Sequence, residues 1–145
     1  MTLQTSMQLL AILCCALFAG AAVYINAVEH PARMSCGTDA AATEWVPSYQ
    51  RATWMQAPLA IIGFMCALIA WLAGSSISWL VGGILLGLVV PFTLVVIMPT
   101  NKRLLSSGLD KRSEDTRKLL DRWNALHAVR SVLSVLALVL FLIGG

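Results

Sequence analysis

The chain has 145 residues, of which 59% are hydrophobic and only 12% charged, with a net charge of +3 and a mean hydropathy of +0.81. A soluble domain carries about 25% charged residues, so this chain lacks the polar surface to face water on all sides. These values exclude intrinsic disorder, a nucleic-acid-binding domain and a secreted disulfide scaffold, and leave an integral membrane protein.

Four stretches are apolar enough to cross a bilayer, where about 20 helical residues are needed. The first runs over Met7–Val28. No Lys or Arg precedes it, which points to a retained span rather than a cleaved signal peptide. The second covers Pro58–Ala73 and is extended back to about Pro47, because Pro is favoured in a first helical turn. The third is Trp79–Met98 and the fourth runs from about Trp123 to Ile143. Each must be helical, since unpaired backbone groups are not tolerated in lipid. The expected fold is an all-α, polytopic four-helix bundle in a single domain of residues 1–145.

Charge sets the expected topology. Residues 1–28 and the segment Gly74–Ser78 carry none. Nine of the ten basic residues fall at 29–57 and 99–122: Arg33, Arg51, Lys102, Arg103, Lys111, Arg112, Arg117, Lys118 and Arg122. The positive-inside rule places loops 29–46 and 99–122 in the cytoplasm and both termini outside. Within the second loop, Ser113–Arg122 reads as a short amphipathic helix with a solvated face, and anionic lipid headgroups are its natural alternative contact.

Close helix packing is expected along Ala11, Cys15, Ala19 and Ala22 of the first span and at Gly83-x-x-x-Gly87 of the third. The glycine surface suits either the bundle interior or a homo-oligomer. Pro91 is expected to kink its helix. Cys14, Cys15, Cys36 and Cys66 form no C-x-x-C and read as free thiols. Trp45, Trp54, Trp79 and Trp123 read as interfacial belt residues.

The residues able to do chemistry gather at the charged end. Asn26, Glu29, His30 and Arg33 share one face if the helix continues through Pro31. Asn124, His127, Arg130 and Ser131 share a second. Tyr49 and Arg51 lead into span two, and Asn101 and Lys102 follow span three. Ionisable residues within spans mark functional sites by default, and a polar cup on an apolar bundle suits a small amphiphilic ligand. Three chemistries fit. Glu29, His30 and His127 could ligate non-haem iron, although adjacent helical residues point about 100° apart. Haem could sit between His30 and His127. With no cofactor, one His tuned by Glu29 acts as general base, and Arg130, Arg51 or Lys102 stabilises the developing oxyanion.

At these residues the sequence resembles a known family. Its first motif is similar to Ala19–Arg33, its second to Pro47–Thr53 with Met55–Pro58, its third to Pro91–Thr93 with Ile97–Leu104, and its fourth to Arg122-Trp123 with Leu126–Arg130. This is the integral-membrane domain-of-unknown-function 1772 family, which includes the anthrone oxygenases of fungal polyketide pathways. The resemblance implies oxidation of an anthrone-like aromatic to a quinone by O2. A base, His30 or His127, removes a proton from the acidic methylene, and the electron-rich enolate then reduces oxygen without an obligatory cofactor. Arg130 or Lys102 would hold the enolate oxygen, and Tyr49 and Asn101 would orient the carbonyl. Asn26, Arg33, Arg51 and Asn124 complete the expected binding set. The rival reading is a non-catalytic binding or assembly module. A small multidrug transporter ranks lowest, because spans two and three carry no charge near the membrane midplane.

Overall fold

The computed structural model describes residues 2–144. Helix α1 (Leu3–Tyr24) runs through a wide π-helical turn, Ile25–Glu29, into α2 (His30–Ser35). Helix α3 (Thr38–Leu72) returns, α4 (Ile77–Phe92) passes through a second π-helical turn, Thr93–Ile97, into α5 (Met98–Leu104), and α6 (Glu114–Ile143) closes the bundle. All four continuous helices are long and apolar enough to cross a membrane. Helix α1 packs on α3 and α6, and α4 packs on the same two from the other side.

Small residues set the helix separations. Ala11, Cys15 and Ala22 of α1, Ala60, Ala67 and Ala70 of α3 and Ala137 of α6 are fully buried with Phe18, Leu86 and Phe141. A Cβ on Gly83 would stand 3.0 Å from the Ala67 Cβ, and one on Gly87 would stand 3.1 Å from the Phe64 ring. The Gly-x-x-x-Gly pattern therefore serves the α3–α4 seam within the chain. The outer faces carry exposed Leu9, Leu13, Ile61, Leu88, Val132 and Leu136, an apolar surface that suits lipid rather than water.

The helices reach well beyond the apolar stretches. Segment 29–46, expected as a loop, is helical apart from Cys36 and Gly37, and Pro47 lies inside α3 rather than in its first turn. Apolar runs mark what meets lipid, not where backbone hydrogen bonding stops. Gly37, at φ 93°, makes the turn that a side chain would resist. The expected amphipathic helix is no separate element either: it is the start of α6, where the Ser113 hydroxyl caps the Thr116 N–H at 3.1 Å.

Proline explains the two wide turns. Its ring collides with the carbonyl four residues back and its nitrogen cannot donate. Ahead of Pro31 the His30 N–H reaches Ile25 O, and ahead of Pro99 the Met98 N–H reaches Thr93 O, five residues back in each case. The wider turn makes room, so neither helix breaks. Pro91 lies inside α4, which continues to Phe92 before the wide turn at 93–97.

The tryptophans correct the sequence expectation. Trp45 (0% exposed), Trp79 (1%) and Trp123 (5%) are core residues, and among the four assigned to a belt only Trp54, at 84%, faces outward. Trp45 stacks on Tyr49 at 4.8 Å and meets Trp123 edge-on at 5.7 Å. Trp79 stacks on Phe141, and its indole N–H donates to Gly144 O at 2.9 Å. At these positions large rings supply the buried apolar area, and a buried indole N–H is satisfied at Trp79.

Candidate functional site

The π-helical turn aims Asn26 at α6. Its amide nitrogen donates to Asn124 Oδ1 at 2.7 Å and to the Asn124 carbonyl at 3.0 Å. Its Oδ1 accepts from the Ser131 hydroxyl at 2.6 Å and faces His127 Nδ1 at 2.9 Å. Both atoms opposite the amide nitrogen are acceptors, so the amide orientation is fixed. Its oxygen can then only accept, which makes His127 Nδ1 the protonated nitrogen and leaves Nε2 with a free lone pair.

Glu29 and Arg33 turn toward α3 instead. Arg33 is buried and pairs with Glu29, its Nε lies 2.7 Å from Glu44, and its Nη2 donates to Ser48 Oγ at 3.2 Å. Ser48 in turn donates to Glu29 at 2.5 Å. The expected common face of Asn26, Glu29, His30 and Arg33 is thus divided between two neighbours. The extra residue in the wide turn rotates the following side chains.

Trp123 is the hub between these groups. Its ring lies 4.9 Å from the His127 imidazole and 5.8 Å from that of His30, with the Arg33 guanidinium 5.9 Å away. One turn beyond His127, Arg130 donates from Nη2 to Gln56 Oε1 at 2.8 Å and lies over Phe18 at 5.3 Å. Gln56 is buried, and its amide nitrogen, like Arg130 Nε, meets no protein acceptor. Among the described residues Arg130 has no acidic partner.

Three spaces converge here. A groove of about 850 Å³ between α1 and α3 is lined by Gly20, Tyr24, Glu29, Arg51, Met55 and Gln56, among others. Its volume lies in the range of about 300–1,000 Å³ typical of small-molecule sites. A chamber of about 110 Å³ lies between α3 and the α4–α5 stretch, with Phe18 of α1 and Arg130 of α6 completing its lining and with Tyr49, Thr53 and Arg130 at the end it shares with the third space. A junction of about 20 Å³ shares Ser48 and Gln56 with the lining of the groove and Tyr49, Thr53 and Arg130 with that of the chamber, and His127 also lines it. That is room for one water.

The remaining expected residues stand apart. Asn101 is fully buried at the α5 end, and neither its amide nitrogen nor its oxygen has a protein partner. Lys102 is exposed, and neither residue borders the three spaces. His30 is buried against Trp123 and also borders none of them. Gln56, Ser48 and Glu44 were not singled out from the sequence. Gln56 could have been, since Tyr49, Thr53 and Gln56 share a helical face at spacings of four and three.

The metal alternatives do not fit. Among the described residues no three His, Cys, Asp or Glu side chains gather to hold an ion. Glu29 is committed to Arg33 and Ser48. Haem does not fit between His30 and His127 either, because the Trp123 ring packs against both and the space at His127 takes only a water.

A family model described as anthrone oxygenase matches residues 45–140, more than half of the chain. The chain belongs to the anthrone oxygenase family. The matched stretch contains His127, Arg130, Gln56 and Arg51 and begins after the Asn26–Arg33 segment. No curated protein and no solved structure matches the chain.

Proposed function

We propose that this family member is a membrane oxygenase that oxidises an anthrone-like aromatic to its quinone with O2. The observation that carries the reading is His127 in the wall of the junction with its Nδ1 2.9 Å from Asn26 Oδ1, an acceptor that assigns the proton to Nδ1 and the lone pair to Nε2. Flat apolar rings lie in the α1–α3 groove, and Arg51 on its wall holds the enolate oxygen. The methylene faces the junction. One water there passes its proton to His127 Nε2, within the reach of general base catalysis. The enolate forms a carbon–oxygen bond to O2. His127 returns its proton to the peroxide, and loss of the second methylene hydrogen with cleavage of the O–O bond then leaves a carbonyl and one water. One oxygen atom ends in the quinone and the other in water, so the equation balances without a cofactor.

The charged end, with Arg33, Arg51, Lys102 and the start of α6, is the cytoplasmic side in this reading, and both termini are outside.

A second reading, a non-catalytic binding or assembly module, is favoured by the Arg33–Glu29–Ser48–Glu44 cluster, which holds α2 to α3 with no ligand needed. The deciding experiment is oxygen-dependent conversion of an anthrone by the purified protein, against His127→Ala and the spontaneous background. A rate above background that His127→Ala removes supports the oxygenase. Equal rates in all samples leave the binding module.

A further inference from the structure

The 110 Å³ chamber is not needed to hold the aromatic substrate. Its walls include Phe18, Ala57, Ala60, Val89, Val90 and Leu94. Both threonines that border it have turned their hydroxyls back onto their own helices: Thr53 to Tyr49 O at 2.8 Å and Thr93 to Val89 O at 2.7 Å. The lining is thereby apolar except at its inner end, where Arg130 and Tyr49 stand. Apolar cavities of about 150 Å³ stay dry and admit xenon or benzene. This one is too small for a tricyclic aromatic and large enough for a diatomic gas. Leu94, which also lines it, is 59% exposed, and in a bilayer such an exposed side chain would meet lipid, a phase that takes up apolar gases.

The inner end adds an electrostatic argument. Arg130 is a cation within a span, with no acidic partner among the described residues, and its Nε and the Gln56 amide nitrogen are buried donors without acceptors. Buried charge and unpaired donors are costly, unless an anion arrives or forms beside them.

We propose that this chamber admits dioxygen from the bilayer, and that Arg130 and Gln56 stabilise the negative charge oxygen acquires at the junction. The inference rests on the oxygenase reading. Once His127 holds the substrate proton, dioxygen moves in from the chamber beside Arg130, and one of its atoms takes the water's place. It gains electrons from the enolate as the carbon–oxygen bond forms, and the resulting peroxide carries its charge against the two donors. Gln56 is thus a further catalytic residue, and Ala57, Val89 and Val90 shape the passage.

The test has two arms. In the first, the methyl groups of the full-length protein are observed by NMR in detergent under oxygen pressure, where paramagnetic O2 speeds relaxation of nuclei it visits. Val89 lines the chamber and Leu86, on the same helix, does not, yet both are buried. Val89 is expected to relax severalfold faster than Leu86, and Ala57→Leu or Val90→Phe, which fill the chamber, should remove the difference. Equal relaxation of the two methyls in the unaltered protein would overturn the proposal, whatever the variants do. In the second, Ala57→Leu is expected to raise the KM for O2 about fivefold, equivalent to about 1 kcal/mol, with the KM for the anthrone unchanged. An unchanged KM for O2 would overturn the passage. Absence of all turnover in the unaltered protein would instead defeat the oxygenase reading, and the relaxation arm would still decide whether the chamber takes dioxygen.

Discussion

Asn26 Oδ1 lies 2.9 Å from His127 Nδ1, joining residues 101 apart in the chain. The bond fixes which imidazole nitrogen can act as a base, because the Asn26 amide is itself locked by Asn124. Asn26→Ala should lower kcat by about 10–100-fold, part of the 10²–10⁴-fold that a positioned general base contributes, with a smaller change in KM. Nitrogen-15 NMR of the imidazoles checks the cause directly: the unaltered protein should show His127 protonated at Nδ1, and the variant a mixture.

His127 and His30 should separate cleanly. His127→Ala is expected to reduce turnover to the spontaneous background while the protein remains folded. His30 borders neither the groove nor the junction, so His30→Gln should retain most of the activity and lower the unfolding temperature through lost contact with Trp123. Equal loss of activity in both would contradict the assignment of the base.

Arg33 is the centre of the α2–α3 ion cluster. Arg33→Met would leave Glu29 and Glu44 facing each other without a cation. A loss of about 1–3 kcal/mol is expected, from unpaired groups that are only partly screened by solvent. Thermal unfolding in detergent measures it, and Glu44→Gln, at the more exposed partner, should cost less.

Close approach at Gly82 gives a packing test. A Cβ there would stand 2.7 Å from the Phe141 ring and 3.1 Å from the Ala137 carbonyl. Gly82→Ala should destabilise the α4–α6 contact by about 1–3 kcal/mol, the usual cost of overpacking. The same change at Gly20, inside α1 with nothing within 4 Å, should cost nothing in packing and stabilise by up to about 1 kcal/mol through helix propensity.

Cysteine labelling reads the topology. Cys36 is exposed beside the turn at Gly37, whereas Cys14, Cys15 and Cys66 are buried. A membrane-impermeant maleimide should modify Cys36 in inverted vesicles and not in intact cells. The reverse pattern would place the charged end outside.

Much of this protein was legible without coordinates. The four spans, the alanine and cysteine face of α1 and the gathering of charge at one end follow from composition and period, because lipid forces helix formation and small residues permit close contact. The extent of the helices was not legible: charged residues in 29–46 and 99–122 obscured it, although helix formation in water carries no penalty for charge. The fate of the tryptophans was also hidden, since a ring near a span end suits an interface and a wide bundle end equally well.

The site divides in the same way. His127, Arg130 and Asn26 stood out because polar groups in spans are rare. Their partners did not, because partnership depends on the angle at which each side chain leaves its helix. The wide turn before Pro31 changes that angle within a single turn, sending Asn26 to His127 and Glu29 to Arg33 and Ser48. Sequence alone determined that this is a membrane bundle with one polar end, since those properties follow from residue type and spacing. Only the tertiary structure decided which imidazole meets a cavity, which arginine stays uncompensated and where the grooves converge. Those depend on helix rotation and contacts between residues about 70–100 apart in the chain, which no local pattern encodes.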